Sequence, residues 1–178
     1  MRWSAIAGAR KRLRGCEVCV SNYQPIMCSI VMSFMNAKVF LDSNVLVYAF
    51  GTRKGHVPDP RCEVADRIVS DGGAISVQVL NEFAQVCSRK GRLGWDVITE
   101  YLEVIKSLCG PAAPVTLEMH VNAVALSKRY GFSIYDSLIL AAAKGAGCAT
   151  VFSEDMQHGQ IVEGLRIENP FLRAKTNH

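Results

Sequence analysis

Four acidic residues lie where short apolar segments of the chain end or where helices begin, namely Asp42, Glu82, Asp136 and Asp155. Carboxylates that converge in one crevice without lysine or arginine between them repel one another, and they stay ionised only if a cation joins them. Mg²⁺ and Mn²⁺ prefer such hard oxygen ligands. The four histidines are scattered along the chain, and none forms a zinc-type pair with a neighbouring ligand. These residue types therefore predict a divalent-metal site built only from oxygen ligands.

Each acid also has a purely structural explanation. Asp42 opens the segment Asp-Ser-Asn and suits an Asx turn at a strand end. Asp136 suits a capping box with Ser133 as the cap, and Asp155 follows a serine in a similar way. Glu82 lies on the flank of the apolar stripe of its helix, where a solvated glutamate is ordinary. Taken singly, each acid favours its structural explanation; only the four together indicate a site.

The elements that must position these acids alternate between short apolar strands and helix-length segments. Strands are predicted at residues 39–41, 74–77, 114–117, 149–152 and 165–167. Helices are predicted from the Asp-Ser-Asn segment to residue 50, from residue 79 to near Gly91, and at residues 62–69, 95–108, 119–130 and 136–147. This alternation predicts an α/β fold with a parallel sheet covered by helices on both faces. Because ligands bind beyond the carboxyl ends of such strands, we expect the four acids at one end of the sheet.

Composition limits the class of protein. The chain has 178 residues, of which 49% are hydrophobic and 20% charged, as in a folded globular domain. Its net charge of +4 arises entirely from residues 1–36, so the remaining 142 residues are neutral. A neutral body is not typical of polybasic proteins that bind nucleic acid through counterion release. No apolar run is long enough for a membrane span, and the scattered cysteines of the body favour buried thiols in a reducing cytoplasm.

The chain divides into an extension at residues 1–36, a domain at residues 37–172 and a tail at residues 173–178. The extension combines a basic cluster with an apolar run at residues 26–35. A secretory signal lacks a clear cleavage site here, and a zinc site at Cys16, Cys19 and Cys28 lacks a fourth ligand. We therefore interpret it as a disordered or accessory extension. A further hypothesis is that translation begins at Met35, directly before the first strand.

Four separated motifs in the domain resemble those of one known family. They are KVFLDSNVLVYA at residues 38–49, VLNEF at 79–83, YDSLILAA at 135–142 and SEDMQHG at 153–159. In this order and spacing they resemble PIN-domain ribonucleases of the VapC toxin type. The extension departs from that family, in which the first strand usually starts at the N-terminus.

The resemblance implies a three-layer α/β/α domain with a central, mostly parallel sheet. It also implies that Asp42, Glu82, Asp136 and Asp155 hold one or two Mg²⁺ or Mn²⁺ ions, and that metal-activated water hydrolyses RNA phosphodiester bonds. Ser43, Asn44 and Ser153 match small polar positions of the family and are expected to support the metal ligands. A cognate antitoxin protein that blocks the site and a homodimer are implied as well. A cytoplasmic location without membrane attachment is predicted from the cysteines and the short apolar runs.

Substrate contacts outside the acids are predicted from short basic runs. The candidates for contacts with RNA phosphates are Arg53, Lys54, Arg89, Lys90 and Arg92. Basic residues at helix ends more often complement the helix dipole and stay solvated, which is the competing explanation.

Two other functions compete with a nuclease. A haloacid-dehalogenase-like phosphatase also places an aspartate after its first strand, but it needs a second aspartate where this chain has Asn44. A catalytically silent PIN-like interaction module needs none of the four acids, and their joint presence disfavours it.

Overall fold

A computed structural model describes residues 39–51 and 59–172 of the chain. The predicted extension, the C-terminal tail, Arg53 and Lys54 lie outside these residues. The strands are β1 (Val39–Leu41), β2 (Thr150–Phe152), β3 (Ile161–Val162) and β4 (Leu165–Glu168). The helices are α1 (Ser43–Leu46), which continues as a π-helical turn at Val47–Gly51, α2 (Pro60–Asp71), α3 (Val77–Arg89), α4 (Trp95–Cys109), α5 (Leu117–Tyr130) and α6 (Ile134–Gly145).

One sheet joins the strands of the described ranges in the order β1-β2-β4-β3. β1 pairs in parallel with β2, and β2 pairs in parallel with β4, so Leu41 lies opposite Phe152 and Phe152 opposite Glu168. The short strand β3 is antiparallel to β4. The carboxyl ends of β1 and β2 therefore lie side by side, and the residues that follow them, from Asp42 and from Ser153 onward, leave the sheet at the same edge.

The sheet continues past β1 only as isolated bridges, which corrects two predicted strands. Ala74 bridges Phe40, and Ser76 bridges Ala113, both in parallel orientation. The predicted strands at 74–77 and 114–117 do not form, because α3 begins at Val77 and α5 at Leu117. The side chains of the preceding cap residues, Ser76 and Thr116, accept hydrogen bonds from backbone N–H groups in the first turns of α3 and α5. Capping thus ends the extended segments early.

Strand β3 was not predicted from the sequence. It forms a hairpin with β4 across Glu163 and Gly164, which have φ angles of 50° and 89°. A two-residue turn with positive φ at both positions matches the twist of antiparallel strands, but glutamate is an uncommon residue there. Because this turn is Glu-Gly instead of the usual Asn-Gly or Asp-Gly, the sequence carries no clear signal for a hairpin here.

The core lies between the sheet and the helices of a three-layer α/β/α arrangement. Phe40, Val151 and Ile167 of the central strands are fully buried, as expected for parallel strands covered on both faces. On the helical side, Ile139 of α6 and Phe83 of α3 are also fully buried. The structure confirms the predicted α/β/α fold with a mostly parallel sheet.

The cysteines of the described residues, Cys62, Cys87, Cys109 and Cys148, are buried, as the sequence predicts. Burial raises the thiol pKa of Cys87, Cys109 and Cys148 to about 11. In the same part of the chain, no helix has the length and apolar character required to cross a membrane.

Candidate metal centre

Asp42 lies at the junction of β1 and α1 and is 3% exposed. It is the N-cap of α1, and its Oδ1 accepts a hydrogen bond of 2.5 Å from the backbone N–H of Ser43. Its Oδ2 accepts from the hydroxyl of Ser153 at 2.6 Å and from the amide of Asn44 at 3.0 Å. The carboxylate is thus buried and fixed in orientation by three donors.

Burial raises the pKa of Asp42 to about 6. The hydrogen bonds from Ser153 and the Ser43 backbone act in the opposite direction, because they stabilise the ionised form. The nearby negative charges of Glu82 and Asp155 raise the pKa further. Negative charge is therefore unfavourable at this position unless a cation compensates it.

Asp155 lies on the loop that follows β2 and is exposed. The buried hydroxyl of Ser153 accepts hydrogen bonds from the backbone N–H groups of Asp155 and Met156, at 3.2 and 3.3 Å, which shapes the turn. The Nδ2 of Asn44 lies 3.3 Å from Asp155 Oδ2 and 3.0 Å from Asp42 Oδ2. One amide nitrogen of α1 therefore joins the carboxylates at the ends of β1 and β2.

Glu82 approaches this group from α3. Its Oε2 accepts a hydrogen bond of 2.9 Å from the hydroxyl of Ser43, the residue whose backbone N–H binds Asp42. Its Oε1 accepts a hydrogen bond of 2.7 Å from the amide of Gln78, one helical turn earlier. Gln78 was not predicted from the sequence, although its i, i+4 spacing to Glu82 is a signal that it holds this carboxylate.

Asp136 is the third residue of α6, and its side chain takes part in the cap of that helix. The hydroxyl of Ser133 accepts from the Asp136 backbone N–H at 3.1 Å and donates to Asp136 Oδ2 at 2.8 Å. Asp136 also lines a cleft of about 770 Å³ together with Glu82. Within residues 39–51 and 59–172, no hydrogen bond through a shared residue links Asp136 to Asp42 or Asp155. The structure joins three of the predicted acids in one network and places the fourth on the cleft beside Glu82.

The fit of this site to a metal ion rests on its donor set. As the side chains stand, no three His, Cys, Asp or Glu residues of the described ranges are grouped closely enough to hold an ion. The donors are carboxylate, hydroxyl and amide oxygens, which suit Mg²⁺ or Mn²⁺. Asn44 Oδ1 is buried without a hydrogen-bond partner. Together with the raised pKa of Asp42, this buried acceptor indicates that the residues fit a hard divalent cation. That all four acids share an ion stays a prediction.

A second network, which was not predicted from the sequence, includes Glu154, the residue before Asp155. The hydroxyl of Tyr48 donates to Glu154 Oε2 at 2.6 Å, and Arg61 donates to Glu154 Oε1 at 3.0 Å. The Arg61 guanidinium lies 4.3 Å from the centre of the Tyr48 ring and also binds Asp59 at 2.7 Å. Burial and the negative charge of Glu154 raise the pKa of Tyr48. The position of Glu154, between Ser153 and Asp155, was the only signal in the sequence.

The candidate phosphate contacts are only partly located. Arg89 is in the last turn of α3, Lys90 is its C-cap, and Arg92 follows with a φ of 50°. The three side chains are exposed and make no ion pair with other described residues. This placement at a helix C-terminus agrees with the helix-dipole explanation, and their contact with RNA stays a prediction.

Comparison with known proteins gives a family match and a set of similar structures. A family model described as the PIN domain matches residues 39–163. No functionally curated protein matches the sequence.

Similar solved structures include VapC20 of Mycobacterium tuberculosis, a sarcin-ricin loop cleaving toxin, with a TM-score of 0.52 and 17% identity over 66% of this chain and 91% of that chain. FitAcB from Neisseria gonorrhoeae has a TM-score of 0.51 and 20% identity, covering 75% and 99% of the two chains. VapBC2 from Rickettsia felis, bound to a DNA fragment from its promoter, has a TM-score of 0.52 and 19% identity, covering 74% and 97%. At these identities the similarity concerns the fold.

Proposed function

This chain belongs to the PIN domain family, and from that premise we propose that it is a Mg²⁺- or Mn²⁺-dependent endoribonuclease, a toxin of the VapC type. One observation carries the proposal. The carboxylates of Asp42 and Asp155 both accept from the Asn44 amide, the Ser153 hydroxyl also donates to Asp42, and Glu82 joins them through Ser43. Similarity to the fold of VapC20, a toxin that cleaves the sarcin-ricin loop, supports RNA as the substrate.

The residues that would hold the metal are Asp42, Glu82, Asp136 and Asp155. A bound divalent ion supplies Lewis-acid chemistry, since it activates water and offsets the negative charge that develops on a phosphate. Ser43, Asn44 and Ser153 keep the carboxylates in place through their hydrogen bonds. This pre-organisation avoids reorientation of the ligands during the reaction.

The chain's own groups orient the substrate beside these carboxylates. The cleft lined by Glu82 and Asp136 is open to solvent and wide enough to admit a nucleotide. In the proposed reaction no side chain attacks the phosphorus atom, and the RNA 2′-hydroxyl takes no part. We therefore propose hydrolysis, with no covalent intermediate on the protein.

The proposal is tested by RNA cleavage with purified full-length chain in Mg²⁺, in Mn²⁺ and in EDTA. Asp42→Ala and Asp136→Asn should each abolish metal-dependent cleavage, because each removes a ligand at the reacting phosphate. Asp96→Asn is the matched control, since Asp96 is an exposed aspartate in the first turn of α4. Thermal denaturation verifies that the variants are folded. Full activity of either folded ligand variant would contradict the assignment.

The competing functions make different predictions. A haloacid-dehalogenase-like phosphatase is disfavoured because the position two residues after Asp42 holds Asn44, whose amide donates to carboxylates and has no proton to give as an acid. Expression in cells distinguishes a nuclease toxin from a catalytically silent interaction module. A nuclease toxin should arrest growth, and Asp42→Ala should relieve the arrest, whereas a silent module gives equal growth for both.

We also propose that a cognate antitoxin protein blocks this site and that the chain forms a homodimer. The similarity of its fold to VapBC2 supports a protein partner. Light scattering of the purified chain should give twice the chain mass of 19.5 kDa. A mass of one chain at working concentrations would contradict the homodimer.

A further inference from the structure

The side chain of Asn44, the second residue of α1, contacts the carboxylates that follow both β1 and β2. Its Nδ2 is 3.0 Å from Asp42 Oδ2, 3.3 Å from Asp155 Oδ2 and 3.4 Å from the hydroxyl oxygen of Ser153. A primary amide nitrogen carries two hydrogens, so it cannot make a full hydrogen bond to each of three oxygens. One terminal atom of the Asn44 amide therefore lies among oxygen atoms from two strand ends.

The spacing of these atoms is close to that of neighbouring ligands on one ion. Oxygen ligands about 2.1 Å from an octahedral Mg²⁺ or Mn²⁺ lie about 3.0 Å from one another when they are adjacent. The terminal atom of Asn44 has this separation from Asp42 Oδ2, and Asp155 Oδ2 is only slightly farther away. An ion that binds both carboxylates therefore has the end of the Asn44 side chain within reach.

Only the oxygen end of the amide suits a cation. Amide hydrogens are repelled by positive charge, whereas an amide oxygen is an ordinary ligand for hard cations. Among the described residues, Asn44 Oδ1 is a buried oxygen without a hydrogen-bond partner, and such buried acceptors are rare in folded proteins. Half a turn of the amide exchanges two atoms of similar size, and it breaks no hydrogen bond at Oδ1 because none is made there.

We propose that Asn44 is a direct ligand of the divalent ion, through Oδ1 after its amide has turned over. The inference rests on the proposed function, because it concerns the same centre, and it deepens that function by adding a neutral ligand to the four acids. It also goes beyond the supporting role that the sequence resemblance implies for Asn44. A neutral oxygen extends the coordination shell without adding negative charge to carboxylates that already repel one another.

Mn²⁺ binding by the EDTA-treated full chain tests the proposal without RNA, with free Mn²⁺ measured by electron paramagnetic resonance. Asn44→Ala should weaken the affinity about 10- to 100-fold, as expected for loss of a group that holds the metal. Asn44→Asp keeps an oxygen at this position and should bind Mn²⁺ at least as tightly as wild type. Asn122→Ala is the matched control, because Asn122 is exposed on α5, and it should leave the affinity unchanged.

Electron–nuclear double resonance of the bound Mn²⁺ separates a ligand from a residue that only positions the carboxylates. The chain is made by cell-free synthesis with asparagine that carries ¹³C at its side-chain carbonyl. If Oδ1 binds the ion, this carbon lies two bonds from Mn²⁺, so wild type should show a ¹³C hyperfine coupling. Asn44→Ala should lose the coupling, and Asn122→Ala should retain it.

The inference is overturned if labelled wild type fails to bind Mn²⁺ or binds it without the ¹³C coupling. It is also overturned if Asn44→Ala, shown to be folded by thermal denaturation, keeps the coupling or the full affinity. Failure of the proposed function has a different signature, in which the coupling is present but wild type leaves RNA intact in Mg²⁺ and Mn²⁺. Cleavage that depends on Asp42, in a chain without the coupling, would contradict the inference alone.

Discussion

The single residue with the greatest influence on the site is Asp42, which is buried among acids and has a pKa of about 6 against 3.8 in its ordinary state. The folded protein therefore holds this proton more tightly than the unfolded chain does. The resulting stabilisation is fully present below about pH 4 and is lost as the pH rises through about 6. In metal-free protein its loss costs on the order of 3 kcal/mol of unfolding free energy by pH 8.

Asp42→Asn should remove this pH dependence. Without a charge to bury, the variant should be more stable than wild type at pH 8 and close to it at pH 4. Urea denaturation of both proteins in EDTA at pH 4 and pH 8 measures the difference. An unchanged stability gap between the two proteins at the two pH values would contradict the buried, proton-sensitive carboxylate.

At the scale of elements, the site depends on how the loop after β2 is held against the first helical segment. Tyr48 of the π-helical turn, Arg61 of α2 and Glu154, the loop residue before Asp155, form one network. The network connects segments that are 93 and 106 positions apart in sequence. We therefore expect it to hold the loop that carries Asp155.

Tyr48→Phe should remove one hydrogen bond of this network while keeping the ring packing. We expect a loss of about 1.5–3 kcal/mol of stability, the usual net value of a hydrogen bond to a charged group. We also expect cleavage to need more Mg²⁺ for half-maximal rate, with activity recovered at high Mg²⁺. Titration of the rate with Mg²⁺ tests this, and an unchanged midpoint would show that the network does not position the site.

Much of the element pattern was predictable because local signals agree with the fold. Helix α4 was predicted at 95–108 and is found at Trp95–Cys109, and the acids Asp42 and Asp155 follow the predicted strands. Helix α6 was predicted at 136–147 and is found at Ile134–Gly145, because Ser133 caps it, as the capping-box explanation of Asp136 implies. The predicted strand at 74–77 is reduced to bridges by the cap at Ser76. Contacts such as Tyr48 with Glu154 are long-range, and no periodicity in the sequence records them.

At the scale of the whole molecule, metal binding should stabilise the fold, because an ion that binds only the folded chain shifts the folding equilibrium. At about 100 times its dissociation constant the ion adds about 2.7 kcal/mol to the unfolding free energy. Mg²⁺ should therefore raise the melting temperature of wild type at pH 8 but change that of Asp42→Ala much less. Equal shifts in the two proteins would place the binding site elsewhere.

The central claim is that carboxylates far apart in sequence share a divalent ion. A crystal structure of the full chain with Mn²⁺, with the ion located by its anomalous scattering, tests it most directly. We predict an ion at coordinating distance, about 2.0–2.2 Å, from Asp42 and within reach of Asp136 directly or through one water. An ordered site with no ion at Asp42, or with Asp136 turned away beyond the reach of a shared hydration shell, would contradict the account.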